Sequence, residues 1–101
     1  MRRADEMTCG LLIIEGQPTI RGECDNTNAP AIESWLSSFG KSAIDVDLRG
    51  VTFFDAAALR AFLSAWERNP NMRIVQPSAT VCRVLTVTGA YRCLVDGVTL
   101  S

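Results

Sequence analysis

Few residues of this chain have the chemistry for catalysis, and histidine is not among them. Its absence removes the commonest general base and the commonest metal ligand. Cysteines stand at positions 9, 24, 82 and 93, and no two of them form a Cys-x-x-Cys pair, so zinc-site and thioredoxin-type spacings are both missing. A cysteine nucleophile would need a histidine partner that the chain does not have. There is no Gly-x-Gly-x-x-Gly, no Gly-Lys-Ser/Thr and no Gly-x-Ser-x-Gly. Carboxylates do pair twice. Asp45 and Asp47 fall on one side of a strand, about 7 Å apart by strand rise, a spacing that a divalent cation or an acid–base pair can use. A solvated strand face accounts for them more simply. Glu23 and Asp25 read in the same way as a strand end followed by a helix N-cap. No enzyme activity, no metal site and no cofactor is expected.

The segment Asp55-Ala56-Ala57-Ala58-Leu59 stands out by its position, after a strand pattern and at the opening of a helical one. Asp55 suits the N-cap, where a carboxylate meets free backbone N–H groups and the positive end of the helix dipole. Three alanines then make a flat surface at a helix end suited to anions. The high helix propensity of alanine gives a plain helix start as the simpler account. Arg60 lies off the apolar stripe of this helix, where a solvated charge and a contact to a partner are both open.

The elements that position these residues follow from apolar periodicity. Cys9 to Ile14 is a short apolar run ended by Glu15-Gly16-Gln17-Pro18, and Thr19 to Gly22 reads as its hairpin partner. Asp25-Asn26-Thr27-Asn28 all suit turns and helix caps. Ile32, Trp35, Leu36 and Phe39 fall at i, i+3, i+4 and i+7 on one helix face, with Gly40 placed to end it. Ile44, Val46 and Leu48 alternate with Asp45 and Asp47 as a strand that Gly50 is expected to break, and Val51 to Phe54 leads into Asp55. Leu59, Phe62, Leu63 and Trp66 repeat the helical stripe until Asn69-Pro70-Asn71. Met72 to Val75 is a strand, and Ser78 caps a third helix with Val81, Val84 and Leu85 inward and Gly89 at its end. Tyr91 to Val95 is expected as a last short strand or turn.

The order β-β-α-β-α-β-α predicts an α/β fold, a mixed sheet with helices packed on one face through right-handed crossovers. Ile32, Trp35, Leu36, Leu59, Phe62, Leu63, Val84 and Leu85 are expected to meet the sheet. One domain fits the 101 residues, 48% of them hydrophobic: residues 1–7 as a flexible N-terminus and 8–101 as the domain. The net charge of −1 argues against a nucleic-acid partner. The longest aliphatic run, Leu11 to Ile14, is too short to enter a membrane. Arg2 and Arg3 are followed by Asp5 and Glu6 where a leader would be apolar, so a cytoplasmic location is expected, with the cysteines as small buried hydrophobes.

Three segments resemble the STAS domain, the module shared by anti-sigma factor antagonists and sulfate transporter tails. Ile20-Arg21-Gly22-Glu23-Cys24-Asp25 is similar to the Gly-Glu-Leu-Asp end of the family's second strand. Asp45-Val46-Asp47-Leu48-Arg49-Gly50-Val51-Thr52-Phe53-Phe54-Asp55 resembles its central strand and the lead into its characteristic loop. Pro77-Ser78-Ala79 to Thr88-Gly89 resembles its last strand-to-helix unit. After the aspartate the family usually reads Ser-Ser-Gly, the second serine being phosphorylated. Here Ala56, Ala57 and Ala58 follow, and Ala57 stands at the phosphoacceptor position without a hydroxyl.

The resemblance implies a non-enzymatic regulatory module of bacterial transcription control. It would dock a kinase-type anti-sigma factor, a histidine-kinase-like ATPase, and so release a sigma factor. The docking surface would be Asp25, Asn26, Thr27, Asp55, Ala56, Ala57, Ala58 and Arg60. The alternative within the same family is a cytoplasmic accessory subunit bound to the ATPase of an ABC-type membrane transporter. Thr52 is a substitute phosphoacceptor to consider, and a homodimer through the uncovered sheet face is a further candidate assembly.

Overall fold

The computed structural model describes residues 9–98. The short apolar runs pair into one sheet. β1 (Cys9–Ile14) and β2 (Gln17–Cys24) form an antiparallel hairpin, with Ile14 opposite Gln17 and Leu11 opposite Ile20. β3 (Ile44–Phe54) lies parallel to β2, and β4 (Met72–Val75) lies parallel to β3. The order across the sheet is β1-β2-β3-β4. Each parallel step needs a crossover. α1 (Ala29–Ser37) makes the first and α2 (Ala56–Arg68) the second. Both steps move the same way across the sheet, so right-handed crossovers put α1 and α2 on the same face. α3 (Ala79–Thr88) follows β4, and α4 (Tyr91–Leu94) follows α3.

The expected mixed sheet with helices on one face is therefore the observed fold. Ile20, Val46, Leu48, Met72 and Ile74 from the sheet share one core with Ile32, Leu36, Leu59, Phe62, Val81 and Leu85 from the helices. The rings of Phe54 and Phe62 meet within it, their centroids 5.7 Å apart. Trp35, Leu63 and Val84, expected inside, are only half-buried and pack on the margin of the core. Ala58, Ala61 and Ala65 are buried in their place. The face that α2 turns inward is wider than its large-residue stripe, because α2 packs against α1 as well as against the sheet, and small side chains let the two helices approach.

Gly50 does not break β3. Thr19 faces Asp47 and Arg21 faces Gly50, so β3 carries one residue more than β2 across this step. The carboxylate of Asp47 closes the irregularity: Oδ1 accepts the Arg49 backbone N–H at 2.8 Å and Oδ2 accepts the Arg49 guanidinium at 3.0 Å. A Cβ on residue 50 would stand 2.9 Å from Cγ of Arg21, so glycine lets the Arg21 stem lie across the strand. A second extra residue sits between Val51 and Phe53. The inward set of β3 thus runs Val46, Leu48, Val51, Phe54, and Thr52 and Phe53 are both exposed.

Two further expectations change. Tyr91 to Val95 contributes no strand: Leu94 N–H donates to Ala90 and Val95 N–H to Tyr91, closing a helical turn that buries Cys93 and Leu94. The segment packs beside β4 and α3, and a helical turn satisfies its backbone locally. β2 also extends beyond Thr19–Gly22 at both ends, because its parallel pairing with β3 continues to Cys24. Ser78 and Asp55 cap their helices as expected, and Gly89 ends α3 in the left-handed conformation at φ 80°. Residues 1–7, expected as a flexible N-terminus, lie outside the described residues.

Phe62 is fully buried at the centre of this packing. Phe62→Ala is expected to destabilise the fold by about 3–5 kcal/mol, read as a lower urea midpoint with an unchanged slope.

Candidate functional site

Parallel β2 and β3 deliver the chain to the same edge of the sheet, so the starts of α1 and α2 lie side by side there. The pairing runs one residue past the strands: Asp55 N–H donates to the Cys24 carbonyl at 3.2 Å. Asp55 then turns into α2 with an extended backbone, and its two carboxylate oxygens divide their work. Oδ1 accepts the Ala58 N–H at 2.9 Å, the N-cap bond of α2, and Oδ2 accepts the Asn26 N–H at 3.0 Å. One side chain therefore fastens the turn before α1 to the first turn of α2.

That turn is built by Asp25 and Asn28. The Asp25 Oδ1 accepts the Asn28 N–H at 3.0 Å, and the Asp25 carbonyl accepts from Ala29 at 2.8 Å. Asn28 Nδ2 donates back to the Glu23 carbonyl at 2.8 Å. Asn28, not Asp25, occupies the cap position of α1, and its side chain makes no cap bond. Asp25 closes the turn one step earlier, because two turn residues intervene between the strand end and the helix.

Of the residues singled out in the sequence, Asn26, Thr27, Ala56 and Arg60 are exposed, and Asp25, Asp55 and Ala57 are half-buried. Ala58 is the exception. It is 0% exposed and belongs to the core, so its methyl group cannot be part of a contact surface. Its N–H faces the Asp55 carboxylate while its side chain points inward, as the third position of a helix packed on a sheet requires.

Between α1 and α2 a groove of about 380 Å³ runs from Asn26 past Ala57 and Arg60 to Ser64, with Pro30 and Glu33 on its other wall. Sequence reading missed this wall. Glu33 accepts a hydrogen bond from Ser64 Oγ at 2.8 Å and an ion pair from Arg68 at 3.4 Å, which tie the two helices together. The signal was present, since Glu33 directly follows the inward Ile32 and Ser64 the inward-leaning Leu63. Arg60 has no ion-pair partner among the described residues.

The other carboxylate pair does not converge. Asp45 is exposed, whereas Asp47 is nearly buried and committed to Arg49. Asp47 is thus not part of a solvated face, because the extra residue of β3 folds Arg49 over it. No group of three potential metal-ligating side chains gathers among the described residues, and no described helix is long and apolar enough to cross a membrane.

Cys24 borders the site through its carbonyl, and its side chain is fully buried. Burial above all, then the neighbouring negative charges of Cys9, Asp25 and Asp55, push its thiol up to about 12. Burial likewise raises Cys9. Such thiols are poor nucleophiles at neutral pH. Cys93 is buried as well, while Cys9 and Cys82 are partly exposed, so the reading as buried hydrophobes holds for two of the four.

Two outcomes follow from this geometry. Asp55→Ala removes the cap of α2 and its tie to Asn26, and is expected to cost about 1–2 kcal/mol, with faster hydrogen exchange at the Asn26 and Ala58 amides. For Cys24 the folded value lies above the ordinary 9.0. The stabilisation from burying the neutral thiol is therefore complete below about pH 9. It is lost as pH rises towards about 12, because the unfolded thiol ionises first. The stability difference between the native chain and Cys24→Ala should shrink over that window in urea titrations.

The chain matches the family described as the STAS domain over residues 14–97. Among solved structures, an anti-sigma factor antagonist from Mycobacterium paratuberculosis shares the fold with a TM-score of 0.66 at 20% identity, over 91% of this chain and 86% of that one. No curated protein matches. The match extends from the end of β1 to beyond α4 and takes in both segments joined by Asp55, and the chain belongs to the STAS domain family.

Proposed function

We propose that this chain is a non-enzymatic regulatory binding module of the anti-sigma factor antagonist type, docking a kinase-type anti-sigma factor through the start of α2 and the turn before α1. One observation carries the reading: the Asp55 carboxylate bonds both Asn26 and Ala58, and so holds Asn26, Thr27, Ala56, Ala57 and Arg60 as one surface. The fold shared with an anti-sigma factor antagonist supports it. Asp25 and Asp55 hold that surface from beneath, and Ala58 supports it from the core.

On this reading Ala57 removes the family's usual switch. Phosphoserine would bring about −1.5 to −2 charges and three acceptor oxygens, next to a surface that already carries Asp25 and Asp55. A methyl group keeps the position small and neutral, so the module stays in its binding form and is controlled by its abundance or by a competing partner. The missing hydroxyl also favours a second reading, a cytoplasmic accessory subunit bound to the ATPase of a membrane transporter, which needs no phosphorylation.

The test is a titration of purified kinase-type anti-sigma factor, and separately of a transporter ATPase subunit, onto this chain. Ala57→Asp is expected to weaken the true complex at least tenfold with little change in melting temperature, since a helix N-terminus tolerates an acid. Unchanged affinity moves the interface elsewhere. Incubation with the kinase and ATP should leave the mass of the chain unaltered. A phosphate added at Thr52, at Thr27 or elsewhere in the two segments overturns the claim that the module lacks a switch.

A further inference from the structure

The edges of a sheet present unpaired backbone donors and acceptors, and proteins usually guard them with short strands, charges, prolines or irregular pairing. Among the described residues the two edges differ. β4 has four residues, carries Arg73, and is bracketed by Pro70 and Pro77. β1 has six residues, Cys-Gly-Leu-Leu-Ile-Ile, without a charge or a proline. Its register with β2 runs without a shift, unlike that of β2 with β3. It is apolar on both faces, with Leu12 39% and Ile13 55% exposed.

We propose that β1 is an interface for a second copy of this chain, the two β1 strands pairing antiparallel about a two-fold axis into one continuous eight-stranded sheet. Opposite residues of an antiparallel pair point to the same face. An axis at Leu12 sets Leu12 against its own counterpart on the face away from the helices, and Ile13 against Leu11 of the partner subunit on the helix face. The strand is thus complementary to itself. This register pairs the five residues Gly10 to Ile14, none of them charged, with Cys9 opposite Glu15 at the margin, and a net charge of −1 per copy adds little repulsion. A two-fold contact is closed, and the guarded β4 edge offers no further strand-pairing site, so assembly stops at two. A six-residue strand buries less than the ~800 Å² per partner of a standard interface, so the dimer is weak and depends on concentration. β1 contributes no residue to the groove beside Asp55, and this inference stands apart from the proposed function.

Sedimentation of the purified chain should give a weight-average mass that rises with concentration from 11.0 kDa towards twice that value. Amide exchange across Cys9–Ile14 should slow at the high end. Leu12→Lys, at an exposed position, should weaken association at least tenfold while leaving the melting temperature near that of the native chain. Mixing Leu12→Lys with Leu12→Glu should restore it, because the two side chains then face each other. A mass that stays at 11.0 kDa at every concentration overturns the proposal. So does a dimer in which β1 exchanges as fast as in the monomer, or a mixture of the two variants that fails to associate.

Discussion

The candidate site depends on one carboxylate shared between two segments far apart in sequence. Parallel strands make this sharing possible, since β2 and β3 end at the same edge and release the chain there twice. A helix start leaves N–H groups unpaired, and so does the turn before α1. Asp55 meets one of each, with an oxygen apiece. A hydroxyl in its place would bring a single oxygen, suited to the cap of α2 but leaving the Asn26 N–H to water. The negative charge also lies at the positive end of α2, where it is favoured. Local helix chemistry and long-range fastening therefore select the same residue type.

The rest of the sheet is shaped by β3. Its two extra residues change which side chains face inward, and the first is stabilised by Asp47, a carboxylate that would otherwise face solvent. Without these irregularities the alternation begun at Val46 and Leu48 would turn Gly50 and Thr52 inward and leave Val51 outside the core; two extra residues cancel in phase, so Phe54 faces inward again. With them, Phe54 closes the core immediately before Asp55, and Phe53 is left half-exposed.

The large-scale features were legible because each had a periodic or terminal signal. The stripes Ile32–Leu36 and Leu59–Phe62, the cap at Asp55 and the glycine at Gly89 all act within one turn of chain, and all are where the sequence places them. Gly50 misled because an isolated glycine in a strand is read as a stop, whereas its role depends on Arg21 of the neighbouring strand, which no local pattern reveals. Ala58 misled for the opposite reason. Helical spacing sets Ala58 four residues before the inward Phe62, but three equal side chains in a row hide that periodicity. The sequence marks Asn69 as a helix stop, yet it is also buried and donates to the Ser42 carbonyl at 2.8 Å across the sheet end. That second role needs the partner loop to be known.

The electrostatics of position 57 follow from the same carboxylate. A doubly charged group on the first turn of α2 would lie close to the Asp55 carboxylate and add to the negative charge that a docking partner meets. In a switched module this is useful, because the charge that repels a partner's acidic or apolar surface is added and removed by enzymes. In this chain the position carries a methyl group, and nothing beside it supplies the missing charge: Arg60 has the opposite sign, and Asp55 is occupied by two backbone donors. On the proposed reading, control of a partner bound there acts on the amount of the chain, on a rival for the same groove, or on the partner itself.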